Sequence, residues 1–444
     1  MIPWGLFRRV GTVRLDPVSR QWATVAGGNL ARLGLGFLAS VLIARALGPA
    51  DFGIFAVLAA ISNIVGAVAD FGLTDAAVKR IASALADDPD TARLRAGAFV
   101  WLRLGTTVVI VLTGCLIALL LPASRLPRAD LRNLLLLALL GVAATALSGI
   151  VAALLQASQH FGRLTIVGFS NAGLTALFAA ILFLVGQLNL LSALVVLGIG
   201  TSLISCAVGA RLLPNHGFPA PPKRAAFRDE ARELFRFGRW LGVSNAFAML
   251  TAQLDVLLLG HWVPPASVGV YALALNLATK VDIVNSSLYT VLLPTVSSLA
   301  GPGAVRRYIR RGVLRSALIA VALLPLLVLV GPFVTVFYGS AYQGAIPLFQ
   351  KLLGVVILDV VATPLILLAY HYNRPRLLAG ADALRAGTLA LTGVALIPSL
   401  GPNGAVAGKF VARLVGASVT VGLLARQPPA RPAAPGPTRR SAPS

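Results

Sequence analysis

The sequence predicts an all-α polytopic membrane protein of about twelve transmembrane helices, and three observations predict it. First, 57% of the 444 residues are hydrophobic and only 12% are charged, against about 45–50% and about 25% in soluble domains. The mean hydropathy is +0.85. Second, apolar runs long enough to cross a hydrocarbon core, which takes about 20 residues per helix, recur along the chain. Third, the cations fall in alternate loops. There are too few polar residues to cover two or three soluble domains, so the composition excludes a soluble enzyme, a disordered chain and a secreted disulfide scaffold.

In chain order, residues 1–21 are polar and basic, with Arg8, Arg9, Arg14 and Arg20. They read as a cytoplasmic N-terminal segment, followed by an uncleaved first span because the apolar run is too long for a signal sequence and lacks a cleavage site. Six spans are expected near 22–47, 53–72, 96–121, 133–157, 165–186 and 189–212, forming an N-terminal lobe over 22–212. A basic amphipathic cytoplasmic linker covers 213–237. Six more spans are expected near 238–260, 267–294, 313–337, 343–370, 376–399 and 403–425, forming a C-terminal lobe over 238–425. Residues 426–444 lack large apolar side chains and read as a disordered cytoplasmic tail.

Of the 38 Lys and Arg residues, 27 lie in the termini and even-numbered loops and only three, Arg125, Arg128 and Arg132, in odd-numbered loops. That is the positive-inside pattern with both termini cytoplasmic. The net charge of +23 therefore reports topology, and no nucleic-acid partner is expected. Cys115 and Cys206 lie inside apolar runs and read as packing residues. No metal-ligand spacing occurs, and no cofactor is expected beyond coupling to protons or sodium.

The halves resemble each other. LGPADFGIFAVLAA (47–60) aligns with VPPASVGVYALALN (263–276), pairing Pro49 with Pro265 and Gly53 with Gly269. Six spans separate equivalent positions, which predicts two parallel repeats around a central site, as in transporters that rock one lobe against the other. Two stretches look amphipathic: 222–240 gathers Phe227, Ala231, Leu234 and Phe235, and 303–313 gathers Val305, Tyr308, Ile309 and Val313. Both are expected to lie on the anionic inner leaflet, or, for the second, to be a simple connector.

Within the spans each ionisable residue needs a reason, because a charge at the bilayer centre costs about 2.5–3.5 kcal/mol on insertion scales. Arg32 lies about 15 Å into the first span at 1.5 Å per residue, near the midplane and without an acid within a helical turn. Its guanidinium suits pyrophosphate oxygens, and a bridge to another helix, with Asp255 as partner, is the alternative. Lys280 is deep enough to face the same headgroup. Lys409 and Arg413 stack at i,i+4, where like charges repel and a shared anion, substrate or a carboxylate such as Asp359, is expected. Asp255 and Asp70 are the candidates for ion coupling; the alternatives are a fixed bridge for Asp255 and a water-exposed position at the cytoplasmic helix end for Asp70. Asp382 and Arg385 form a local pair, and Arg45 and Arg103 are placed to snorkel.

The run NLARLGLGFLASVLIARALGPADFGIFAVLAAISNIVGAVADFGLTDAAVKRIA resembles the polysaccharide-biosynthesis flippases, the O-antigen-flippase-like members of the multidrug/oligosaccharidyl-lipid/polysaccharide exporter superfamily. QLDVLLLGHWVPPASVGVYALALNLATKV (253–281) is similar to the family's Asp-x4-Gly then Gly-x-Tyr pattern, here Asp255, Gly260, Gly269 and Tyr271. LLPTVSSLAG (292–301) and LGPNGAVAGKFVARLVGA (400–417) are similar to later family segments. The resemblance implies two six-helix lobes around a cavity lined by helices 1, 2, 7 and 8. It also implies flipping of an undecaprenyl-pyrophosphate-linked oligosaccharide by alternating access in the bacterial cytoplasmic (inner) membrane. The implied partners are that lipid-linked oligosaccharide, membrane lipids and polysaccharide-assembly enzymes. The alternatives are a cation-coupled multidrug or lipid exporter of the same superfamily, which tends to carry an acid in helix 1 where this chain has Arg32, and a membrane scaffold for glycosyltransferases. An enzyme is not expected, since no aqueous segment carries paired carboxylates, a Ser/His/Asp set or a phosphate-binding glycine loop.

Overall fold

The computed structural model describes residues 17–122, 130–213, 219, 223–297, 299, 302–371 and 375–425. Most of the expected N-terminal segment, the middle of the 122–132 loop, part of the linker and the 426–444 tail lie outside them. Among the described residues every regular element is helical. The longest are α1 (Pro17–Asp70), α2 (Leu73–Asp87), α3 (Pro89–Leu120), α4 (Leu131–Ala157), α5 (Phe161–Leu184), α6 (Leu190–Leu212) and α7 (Arg224–Trp262). They continue with α8 (Pro265–Val281), α9 (Ile283–Ser297), α10 (Pro302–Leu323), α11 (Leu326–Phe337), α12 (Ala345–Ile366), α13 (Pro375–Leu400) and α14 (Pro402–Ala425).

Eleven helices among the described residues are long and apolar enough to cross a membrane. One of them, Ala31–Asp70, has 40 residues, about 60 Å at 1.5 Å per residue and twice a bilayer core. It is broken at Gly48, whose φ of 66° and ψ of 172° are not helical, just before Pro49, which has no N–H to continue the ladder. The first two expected spans are therefore one continuous run of sequence with a break between them, and about twelve spans result. Large apolar side chains cover the helix exteriors: Leu184 is 83% and Val328 78% exposed. In water such a surface is an aggregation hazard, whereas in lipid it is solvated. The chain is a multi-pass membrane protein.

The helices pack as two compact units. Unit 1 comprises the described residues up to Leu47 with Ser62–Ala246, and unit 2 comprises Gly48–Ile61 with the described residues from Phe247 onward. Unit 1 is centred on Leu73, Ala77, Phe99, Ile150, Leu155 and Leu234, all 1% exposed or less. In unit 2, Leu292, Val296, Tyr308 and Leu367 form a core cluster, and Tyr308 donates to the Pro364 carbonyl at 3.1 Å. Both cysteines are free thiols.

Both amphipathic stretches bury part of their apolar face against protein. Leu234 is fully buried with Leu73, Ala76, Ala77 and Ile81 of α2, with Phe227 packed against the same cluster, and Phe71 and Phe235 rings lie 5.8 Å apart. The polar side of the contact is fixed too: Arg80 bonds Glu230 at 3.0 Å and Glu233 at 3.4 Å, and Arg95 is ion-paired with Glu230 at 3.5 Å. In the second stretch Val305 and Ile309 pack beside Tyr308. An apolar stripe states only that something apolar must cover it; here a neighbouring helix covers Leu234 fully, while Phe235 stays 38% exposed. Between α2 and α3, Asp88 caps α3, accepting from the Asp90 N–H at 3.0 Å and from Thr91 Oγ1 at 2.6 Å. The Thr91 hydroxyl, first among these bonds, holds its carboxyl below the usual aspartate value, so the cap persists at neutral pH and is lost only as the pH falls through that lowered value.

Two backbone approaches need glycine. In unit 2 the segments aligned by sequence meet reciprocally: a Cβ on Gly53 would collide with the Pro265 carbonyl and sit 2.8 Å from Gly269 N, and one on Gly269 would collide with the Pro49 carbonyl. In unit 1 the turn Phe71–Gly72 has φ of 45° and 72°, and a Cβ on Gly242 would lie 2.9 Å from Phe71 Cα. Backbone cannot step aside as a side chain can. Gly269→Val is therefore expected to cost at least about 1–3 kcal/mol, the usual range for overpacking, read as a lowered Tm of the purified protein; an unchanged Tm would contradict this packing.

Candidate functional site

The spans' charges fall into two settings. In unit 2 they neutralise one another. Asp255 of α7 is 1% exposed; its Oδ2 accepts from the Tyr271 hydroxyl of α8 and pairs with Lys409 Nζ of α14 at 3.0 Å. Its Oδ1 is buried with no hydrogen-bond partner among the described residues. One helical turn along α14, Arg413 Nε pairs with Asp359 Oδ2 of α12 at 3.2 Å. Arg385 of α13 lies 3.8 Å from Asp359 Oδ1 and 3.2 Å from Asp382 Oδ1. Three carboxylates thus face three cations across four helices. The stacked pair Lys409 and Arg413 resolves its mutual repulsion by taking a separate protein carboxylate each. Lys280 of α8 differs, since its Nζ donates at 2.8 Å to the Asn276 amide oxygen, a neutral partner.

Unit 1 is built differently. Asp70 is held by Arg103 at 3.4 Å and by the Thr74 hydroxyl at 2.5 Å, so its carboxylate is engaged rather than reaching water alone. Arg103 is 8% exposed; it is buried, not snorkelling, because Asp70 supplies a counter-charge within reach. Arg32 of α1 forms no ion pair with any carboxylate among the described residues. It lines a cavity of about 440 Å³ whose other walls come from α4, α5 and α6, with Thr145, Ser148, Asn171, Ser202 and Ser205 among them. A Cβ on Gly168 would stand 3.5 Å from Arg32 Nη1, an ordinary contact, which places the guanidinium beside the α5 backbone. A π-helical stretch, Ala193–Gly200, precedes Ser202 and Ser205 in α6; such stretches are often found at functional sites.

The structure therefore joins Asp255 with Lys409, gives Arg413 to Asp359, and leaves Arg32 and Lys280 without a bonded carboxylate among the described residues. Charge alone does not reveal the cavity. Its neutral hydroxyls and the Asn171 amide were the available signal, polar side chains in spans where apolar ones cost nothing.

Residues 18–300 match the model of the family described as polysaccharide biosynthesis protein. The probable flippase AglR of Haloferax volcanii is 25% identical over 222 residues, 47% of this chain and 44% of that protein, so the match spans less than half the relative's length. Among solved structures, the lipid II flippase MurJ in an inward closed conformation superposes with a TM-score of 0.70 at 11% identity, over 91% of this chain and 88% of that one. An inward-facing multidrug resistance MATE family transporter of the MOP superfamily gives 0.62 at 14% identity, over 89% and 96%. At such identities the structural likeness is one of fold.

Proposed function

The chain belongs to the polysaccharide biosynthesis protein family, and we propose that it is a flippase, not an enzyme. In this reading it carries an undecaprenyl-pyrophosphate-linked oligosaccharide from the cytoplasmic to the outer leaflet of a bacterial cytoplasmic membrane, with both termini cytoplasmic. The observation that carries the proposal is Arg32. A guanidinium within a spanning helix needs a reason at bilayer depth; that of Arg32 is exposed, pairs with no carboxylate among the described residues, and lines a polar cavity. Pyrophosphate oxygens fit its planar fork, while the polyprenyl tail stays in the hydrocarbon. Lys280, in unit 2, is a further candidate cation for an anionic headgroup, since an amide satisfies one of its donors without cancelling its charge. Lys409 and Arg413 would meet the headgroup only when their carboxylate pairs open. Coupling is assigned to the Asp255–Lys409 pair, whose opening on protonation or sodium binding would release an ammonium; Asp70, engaged by Arg103 and Thr74, is the secondary coupling candidate.

The test is translocation in proteoliposomes of a panel of fluorescent undecaprenyl-pyrophosphate oligosaccharides beside a lipophilic cationic dye, with proton or sodium gradients imposed. Movement of a glycan and not the dye is expected. Movement of the dye alone would replace the proposal with the exporter reading, and movement of neither would favour a scaffold for glycosyltransferases.

A further inference from the structure

We infer that the arginine-bearing face of α10 is a docking site for anionic phospholipid of the surrounding membrane. Arg306, Arg307, Arg310, Arg311 and Arg315 hold its headgroup phosphate, and its acyl chain lies along Leu314, Leu318 and Val321. The inference is independent of what the chain transports.

Three observations carry it, the first being the isolation of the charge. All five arginines are exposed, within ten residues of one helix. No Asp or Glu occurs between Asp282 and Asp359, and none of the five forms an ion pair among the described residues; the carboxylates paired in unit 2 go to other cations. The basic start of α7 is built otherwise, with Asp229, Glu230 and Glu233 set among its arginines and both glutamates paired with Arg80, Arg95 or Arg236. Topology needs cations on one side of the membrane. It does not need them on one helix face without acids.

The second observation is that this face is fixed. On the opposite side of α10, Tyr308, Ser316 and Ala320 are buried. Tyr308 donates to the Pro364 carbonyl at 3.1 Å, and a Cβ on Gly312 would stand 3.1 Å from Pro364 Cβ. The helix cannot turn its arginines inward without breaking that seam.

The third is continuity with the lipid-facing surface. At 3.6 residues per turn, Arg307, Arg311, Leu314, Leu318 and Val321 follow one another along one stripe. Leu314, Leu318 and Val321 are 60%, 62% and 61% exposed, as side chains that meet lipid are. Arg315 lies beyond Leu314, so cations and lipid-facing residues overlap, and a long arginine stem can follow apolar surface while its guanidinium reaches the headgroups. A soluble acidic protein would meet Arg306 and Arg307 and miss Arg315, whereas a phospholipid meets the whole arc. The guanidinium fork matches phosphate oxygens, and an anion between like charges relieves their repulsion. Phosphatidylcholine brings its own cation to the arc and is the poorer partner. Each cation engaged beside a span adds about fivefold to the affinity for anionic lipid.

The experiment uses the full chain carrying Cys115→Ala and Cys206→Ala in bilayers of phosphatidylcholine and phosphatidylglycerol. A bimane fluorophore on Leu318→Cys is quenched by whichever lipid, brominated phosphatidylglycerol or brominated phosphatidylcholine, lies beside α10. The same fluorophore on Leu112→Cys of α3, 62% exposed like Leu318, reads the rest of the lipid shell. Phosphatidylglycerol is expected to be favoured at least about fivefold at position 318 and to show no such preference at 112. Arg307→Gln/Arg311→Gln removes two of 38 cations, which leaves the insertion signal in place. It should lower the preference at 318 about threefold or more with the Tm unchanged, and Arg306→Gln/Arg310→Gln is a second variant with the same expectation. Raising salt from about 0.05 to about 0.5 M should weaken the preference by screening, and inorganic phosphate at equal ionic strength should do no more than chloride. Equal quenching by both lipids at 318, an equal preference at 112, or a preference that survives both double variants overturns the site. Displacement by phosphate beyond the effect of chloride makes the arc a site for soluble anions and overturns its assignment to lipid. Failure to translocate a glycan would defeat the flippase reading and leave this site standing.

Discussion

Asp255→Ala is expected to lower the stability of the protein by about 3–5 kcal/mol, the usual cost of removing one partner from a buried ion pair. The Asp255 side chain is fully buried and that of Lys409 only 17% exposed, so the ammonium left behind cannot simply turn to water. Tyr271 loses its acceptor as well, and a buried hydroxyl without a partner adds about 1–3 kcal/mol in its own right. The double variant Asp255→Leu/Lys409→Met should recover most of the loss, because apolar replacement of a whole buried pair is often neutral or stabilising. Unfolding in nanodiscs measures both. The double variant also separates two roles for the pair: if it is only a fixed bridge, the repaired protein transports as wild type does, whereas if it is the coupling element, the repaired protein is stable and its transport no longer follows the imposed proton or sodium gradient.

Arg32 carries the second large effect, on activity rather than stability. A charge-assisted hydrogen bond contributes about 1.5–3 kcal/mol, or about 10- to 100-fold in an equilibrium constant at 1.4 kcal/mol per decade. Arg32→Gln should cut transport by that factor while leaving folding intact, since no carboxylate among the described residues is orphaned by the change. Arg32→Lys should fall between, keeping the charge but losing the two-pronged geometry.

The spans were legible because lipid imposes a length and an apolar composition on each crossing, with no context needed. What the sequence left open were choices of partner. The Phe227–Leu234 stripe announces an apolar neighbour, and nothing local distinguishes a lipid from α2, about 150 residues earlier in the chain. Asp255 and Lys409 are likewise far apart in sequence, as are Asp359 and Arg413, so their matching depends on which helices become neighbours. Arg103 was assigned to the interface by depth alone; Asp70 lies 33 residues before it and only the fold brings them together. The break at Gly48 was hinted by the Gly-Pro pair in LGPADFG, whereas the cavity around Arg32 is shaped by neutral side chains that charge accounting passes over.

The central claim, that a guanidinium in unit 1 with no carboxylate partner among the described residues receives the phosphate of a lipid-linked glycan, is tested most directly by leaflet translocation in proteoliposomes containing equal amounts of inserted wild type, Arg32→Lys and Arg32→Gln. The account predicts a glycan that the wild type moves, that Arg32→Lys moves more slowly, and that Arg32→Gln moves about 10- to 100-fold more slowly than wild type. Equal rates for all three proteins on a glycan the wild type does move would contradict it.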